Sequence, residues 1–193
     1  MQQNEIEIFY PSSQMAWRKW LQENHYSKQA VWLVFYSKKS GLETLTWSDA
    51  VDVALCFGWI DSKKIKIDEK TAHQFFSKRK PKSTWSKINK NKVEKLIAEG
   101  LMTDAGLACI ETAKQNGSWT ILDEVEELVI PADLEAAFAG KPNAKDFFLS
   151  LSKSARKIML AWLLFAKTTE TRQKRIAEII ESAEQKLKPK HLQ

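Results

Sequence analysis

Arg79, Lys80 and Lys82 stand together in the stretch RKPKSTWS, and Trp85 follows three residues after Lys82. Three cations around a proline, with an indole close by, have the chemistry needed to hold an anion. A guanidinium can grip a phosphate or carboxylate bidentately, ammonium groups add field, and an indole offers a stacking or apolar face. Ser83 and the free N–H groups of a following helix would add donors. Upstream, Trp59 and Asp61 come directly after Gly58 in FGWID. A carboxylate there could act as a general base, orient Arg79 or accept a ligand hydroxyl. Trp59, Asp61, Arg79, Lys80, Lys82 and Trp85 therefore form the candidate ligand site. Each also has a structural reading: Asp61 can pair with a neighbouring cation or cap a turn, the indoles can be core, and the charge run can be a solvated face.

The elements around these residues are readable from pattern. Thr46 is a good N-cap, with Asp49 three residues on as a shortened capping box. Trp47, Ala50, Val51, Ala54 and Leu55 recur at helical spacing and predict a buried face. Gly58 falls where a left-handed helix stop is needed. Lys63 to Ile67 alternates as a half-exposed strand, Asp68 to Thr71 turns the chain, and Ala72 to Ser77 runs back. Two strands of similar length should return Arg79–Trp85 to the helix end where Trp59 and Asp61 sit. Pro81 keeps the basic loop extended. Ser83 or Thr84 is expected to cap the next helix, which would send Trp85, Val93, Leu96 and Ile97 to the core.

Charge is concentrated in this same segment. Ile60 to Gly100 holds twelve Lys+Arg against five Asp+Glu, a net of +7, while the whole chain is +6. The rest is near neutral, so the basic patch is local, which points to an anionic partner more strongly than a high pI alone. An apolar content of 44% and eight Trp support a packed core and exclude disorder. Cys56 and Cys109 lie in apolar helical patterns and read as buried, reduced thiols. No signal peptide and no membrane span are expected, which predicts a cytoplasmic protein. No Gly-rich phosphate loop is present, and His25, His73, His191 and the two Cys have no zinc spacing. No cofactor or metal is expected, and no catalytic residue is identified.

The remaining chain sets the fold class. Ile6, Ile8 and Tyr10 alternate with Glu5, Glu7 and Phe9 as a short edge strand, and Ser12 or Ser13 caps a helix carrying Trp17, Trp20 and Leu21. Ala30–Tyr36 (AVWLVFY) is apolar without alternation, which suits a central strand covered on both faces. Beyond Gly100 the patterns are helical. Thr103, Pro131, Pro142, Ser152 and Thr169 each open a segment, and Ile176, Ile179, Ile180 and Leu187 form a stripe on the last. Glu170 or Asp146 would neutralise Arg156 and Lys157, and Glu170, Arg172 and Arg175 would form an ion-pair network between the last two helices. The tail KPKHLQ is expected to fray. The fold class is α+β: a small mixed sheet with packed helices in residues 1–125, then an all-helical part in 126–193.

FGWID, RKPKSTWS, NGSW, SKSARK and ETRQKRI together resemble the YdeI/OmpD-associated (OmdA) family, described as bacteriocin protection. The resemblance covers nearly the whole chain. It implies a bacterial stress or envelope-defence role and supplies no catalytic residues. Three function classes stay open. One is a binding module whose basic hub takes an anionic small molecule or a nucleic acid. Another is an enzyme with a pocket at the end of the 46–57 helix, using Asp61 with Arg79 or Lys80. The third is an adaptor that docks a protein partner on its C-terminal helices. The local basic patch favours the first. The oligomeric state is left open.

Overall fold

The computed structural model describes residues 6–192; Glu5, from the N-terminal alternation, and Gln193, from the tail, lie outside them. The architecture is α+β, and the chain divides after Thr120 into two compact units. The first holds β1 (Ile8–Phe9), α1 (Gln14–Asn24), β2 (Ala30–Tyr36), α2 (Trp47–Cys56), β3 (Trp59–Lys66), β4 (Thr71–Lys78), α3 (Lys87–Ala98) and α4 (Asp104–Gln115). Its four strands run in the order β1-β2-β4-β3. β1 pairs parallel to β2, and the other pairs are antiparallel. β2 is therefore central, as its apolar run predicts.

Alternation decides what each strand buries. Val31 and Leu33 of β2 and Phe76 of β4 share one face with Trp59 of β3, and all four are completely buried. Trp17 and Trp20 of α1 cover them. Trp17 stands edge-on to Phe76 at 5.6 Å, and Trp20 edge-on to Trp59 at 5.9 Å. A buried indole N–H usually finds a partner; Trp59 Nε1 is buried without one among the described residues, whereas both α1 indoles are satisfied. Trp17 Nε1 donates to the Ala50 carbonyl and Trp20 Nε1 to Glu7 Oε1, each at 3.0 Å. β2 is only partly covered on its second face, where Val34 is buried. On that face Trp32 and Phe75 are only half-buried, 4.8 Å apart and edge-to-face, with Lys63 Nζ over both rings. An uninterrupted apolar run thus marks a central strand here without marking a second covering layer.

β3 carries one extra residue. Asp61 faces Phe76 and Lys64 faces Gln74, so the register shifts between them. Such a bulge frees carbonyls that must find donors. Buried Gln74 supplies them: its Nε2 donates to the Ser62 carbonyl at 3.0 Å and the Lys63 carbonyl at 3.3 Å.

The helix starts follow side-chain caps. Ser13 accepts from Ala16 N, and Thr103 from Gly106 N. Thr46 Oγ1 accepts from Asp49 N at 3.1 Å and donates to Asp49 Oδ2 at 2.6 Å, closing the shortened capping box. Two expectations fail near α3. Its cap is Ser86, because Ser83 is used in the preceding loop. Ile97 is 48% exposed, so the buried face of α3 ends at Val93 and Leu96. Trp47 also departs from its expected place. It is the first residue of α2, a turn above the core, and its ring is 53% exposed.

The second unit holds α5 (Asp123–Glu126), α6 (Ala132–Phe138), α7 (Pro142–Ser150), α8 (Lys153–Leu164) and α9 (Thr169–Glu184). Leu134, Phe138, Phe148, Met159, Leu160, Leu163, Ile179 and Ile180 make its core. Leu187 lies beyond the end of α9 and is 49% exposed, so the stripe stops at Ala183. The ion pairs differ from the expected network. Arg172 bridges bidentately to Asp133, Arg175 donates to the Trp162 carbonyl, Glu170 pairs with Lys174, and Lys157 with Glu126. The tail does not fray before Leu192: Lys190–Leu192 is a short 3₁₀ turn, and Lys190 N donates to Glu178 Oε1. No described helix is long and apolar enough to cross a membrane.

Candidate functional site

Everything at the site is placed by the end of α2. Gly58 takes φ +71°, a left-handed turn that costs a Cβ-bearing residue about 1 kcal/mol. The chain then enters β3 at Trp59. α4 closes on this point. A Cβ on Gly106 would stand 2.3 Å from the Cys56 carbonyl oxygen, so only glycine allows the approach. Thr103 secures it, donating through both N (3.1 Å) and Oγ1 (2.6 Å) to that same carbonyl.

The hairpin returns the chain to the same place. Lys78 pairs with Trp59, and Arg79 N donates to the Gly58 carbonyl at 2.9 Å. The basic loop after it is held tightly. Ser83 N and Oγ both donate to the Lys80 carbonyl, at 2.9 and 2.6 Å. The Pro81 carbonyl accepts from Asn116 Nδ2 at 2.7 Å and Ser118 Oγ at 3.3 Å. Trp119 packs on Trp85 with ring centroids 5.0 Å apart. The block NGSW after α4 thus clamps the block RKPKSTW.

Arg79 lies inside this clamp. It is only 8% exposed, with its guanidinium carbon 3.7 Å from the Trp85 ring centroid. Nη2 donates to the Thr84 carbonyl at 2.6 Å, and Nε is buried with no partner. No carboxylate forms a salt bridge with it among the described residues. Burial pulls its pKa down to about 10, while Asp61 and, once ionised, Cys109 favour the charged form. It is still a cation at neutral pH, but one whose charge is poorly compensated.

Arg79 borders a groove of about 310 Å³, together with Tyr26, Phe57, Gly58, Pro81 and Cys109. His25, Lys78 and the α4 residues Ala105, Ala108 and Thr112 complete its walls. Lys78 Nζ donates to the Tyr26 carbonyl at 3.0 Å, and His25 Nδ1 meets the Leu21 carbonyl at 2.7 Å. Cys109 is half-buried, not fully buried as the apolar pattern suggests. Burial raises its thiol pKa, which Arg79 partly opposes. Cys56 is buried, and its thiol is raised for the same reason.

The six sequence-derived residues are distributed unevenly. Arg79 and Trp85 touch. Trp59, 0% exposed, is in the core. Asp61 is half-buried on β3, where its Oδ2 accepts from Trp47 Nε1 at 2.9 Å and from Gln74 Nε2 at 3.4 Å. Lys80 and Lys82 are exposed on the loop and outside the groove lining. The sequence reading did not find His25, Phe57 or the face of α4, because nothing local links a helix at 104–115 to a loop at 79–85. The one available signal was Gly106, a glycine at an interior helix position, which marks a close backbone approach.

Comparison with known families places both units. Residues 9–109, more than half of the chain, match a family described as a domain of unknown function (DUF8412). The chain belongs to that family. Residues 127–186 match a second family, described as "Bacteriocin-protection, YdeI or OmpD-Associated" (OmdA). The resemblance to the OmdA family is therefore real, but it covers the helical unit and not nearly the whole chain as expected; the groove, apart from Thr112, lies in the DUF8412 part. No curated protein and no solved structure matches the chain.

Proposed function

We propose that the DUF8412 part is a binding module for a small anionic ligand, held in the groove at the end of α2 with Arg79 as its countercharge. One observation carries this: a guanidinium that is 8% exposed, lines a groove and has no carboxylate partner among the described residues. A buried charge without compensation is costly, and a bound anion would compensate it. Trp85 stacks on Arg79 and fixes its plane, and Lys80 and Lys82 add positive field at the surface. A groove of this size, with a single deeply buried cation, suits a small molecule better than a nucleic-acid backbone. The enzyme reading, which pairs Asp61 with Arg79 or Lys80, has less support, because Asp61 is engaged by Trp47 and Gln74 and neither Asp61 nor Lys80 lines the groove. Within the context named by the OmdA match, the module would recognise a ligand relevant to bacteriocin protection.

The test compares wild type with Arg79→Gln. Both are titrated with acetate, benzoate and inorganic phosphate across a salt series, and folding is checked by circular dichroism. At least one anion should bind wild type, and the variant should bind it about tenfold more weakly, the usual effect of losing a charged hydrogen-bond donor. If no anion binds, or if the variant binds with equal affinity and salt slope, the reading fails.

A further inference from the structure

Building on the anion-site reading above, we infer that the groove selects a monoanionic carboxylate with a compact apolar body, and that Cys109 touches that body. A guanidinium has five N–H groups in one plane. On Arg79, Nε is sealed off, Nη2 is engaged with the Thr84 carbonyl, and Trp85 covers a face of the plane. What is left is a short in-plane edge, with no hydrogen bond to Nη1 among the described residues. A carboxylate is planar and can be satisfied by one or two such donors. A phosphate dianion presents three oxygens and a second charge, and besides Arg79 the groove lining offers them one lysine, Lys78. Lys78 directs its ammonium to the Tyr26 carbonyl. The nearby N-terminus of α4 is closed by the Thr103 cap and carries Asp104 in its first turn, which repels an anion.

The walls define the rest of the ligand. Phe57, Pro81, Ala105 and Ala108 present carbon to the groove, and Cys109 presents a protonated thiol. A cavity of about 310 Å³ is at the small end for ligand sites. It has room for an aromatic ring or a short alkyl chain behind one carboxylate. The pairing also explains why the fold tolerates Arg79: the countercharge arrives with the ligand.

The test uses the full-length, nitrogen-15-labelled protein and three probes: benzoate, its neutral methyl ester and inorganic phosphate. Amide shifts are followed at Gly58, Arg79 and Cys109, and in parallel the rate of Cys109 alkylation by iodoacetamide is read by mass spectrometry. Benzoate should shift these amides, slow the alkylation of Cys109, and bind about tenfold tighter than either methyl benzoate or phosphate. Phosphate binding tighter than benzoate overturns the carboxylate assignment and leaves the anion site standing. Equal binding of benzoate and its ester, or no response to either anion, overturns both. Amide shifts without protection of Cys109 overturn its placement against the ligand. None of these outcomes depends on a variant that has to fold.

Discussion

Arg79 in the sheet-containing unit and Arg172 in the helical unit are both drawn partly out of solvent, and their surroundings treat them in opposite ways. Arg172 meets Asp133 through Nε and Nη2 and the Leu163 carbonyl through Nη1. The pair raises the Arg172 pKa and lowers that of Asp133. Arg79 is more deeply buried, has an indole and one carbonyl, and its pKa falls to about 10. An arginine with a bidentate carboxylate is complete within the fold. One that is buried without a carboxylate is costly to the empty protein, and that cost is explained if a ligand completes it.

The largest effect should come from breaking the packing that builds Arg79's surroundings. Gly106→Ala places a Cβ 2.3 Å from the Cys56 carbonyl oxygen, on backbone that cannot move without parting α4 from α2. The expected loss is about 3 kcal/mol, read as a lower midpoint in chemical denaturation. Anion binding should disappear with it, since α4 forms a wall of the groove. Unchanged stability would mean that α4 does not pack closely on the α2 end.

The next effect sharpens the contrast between the two arginines. Arg172→Met should cost about 1 kcal/mol, because the Asp133 pair is substantially exposed and so worth only a modest amount. Anion binding should not change. A variant that lost binding while keeping its stability would show that the helical unit contributes to the site.

A smaller effect appears with pH. Asp133 has a folded pKa depressed below its ordinary 3.8, chiefly by hydrogen bonds from Arg172. Its contribution is present at neutral pH and is lost as pH falls below that value through the depressed folded one. Wild type should therefore lose a few tenths of a kcal/mol more than Asp133→Asn between pH 5 and pH 3, as exposed pairs do. Equal slopes would remove the pair from the account.

How far the sequence reveals this contrast depends on chain distance. Gly58 as a stop and two strands of matched length were enough to return Arg79 to the helix end, and the Arg79 N to Gly58 carbonyl bond is that return made visible. Local patterns failed where position within an element mattered. Trp47 is apolar but sits at the first turn of α2, so its indole reaches Asp61 and not the core. Ser83 and Thr84 both look like caps, yet Ser83 is taken by the Lys80 carbonyl and the cap is Ser86. Partners from distant helices were invisible. Asp133 reaches Arg172 across 39 positions, and Asn116 reaches the Pro81 carbonyl across 35. A missing partner, as at Arg79, cannot be read from a sequence at all, because it is a property of everything that packs nearby.

The most direct test of the central claim measures Arg79→Met with and without benzoate by chemical denaturation. Methionine keeps an apolar stem against Trp85 and removes the charge. The account predicts that the empty variant is as stable as wild type or more so, since replacing an uncompensated buried charge with an apolar group of similar length is often neutral or stabilising. It also predicts that benzoate raises the wild-type midpoint and leaves that of the variant unmoved. A variant destabilised by about 2 kcal/mol or more that still gains stability from benzoate would contradict it, and would make Arg79 a structural residue like Arg172.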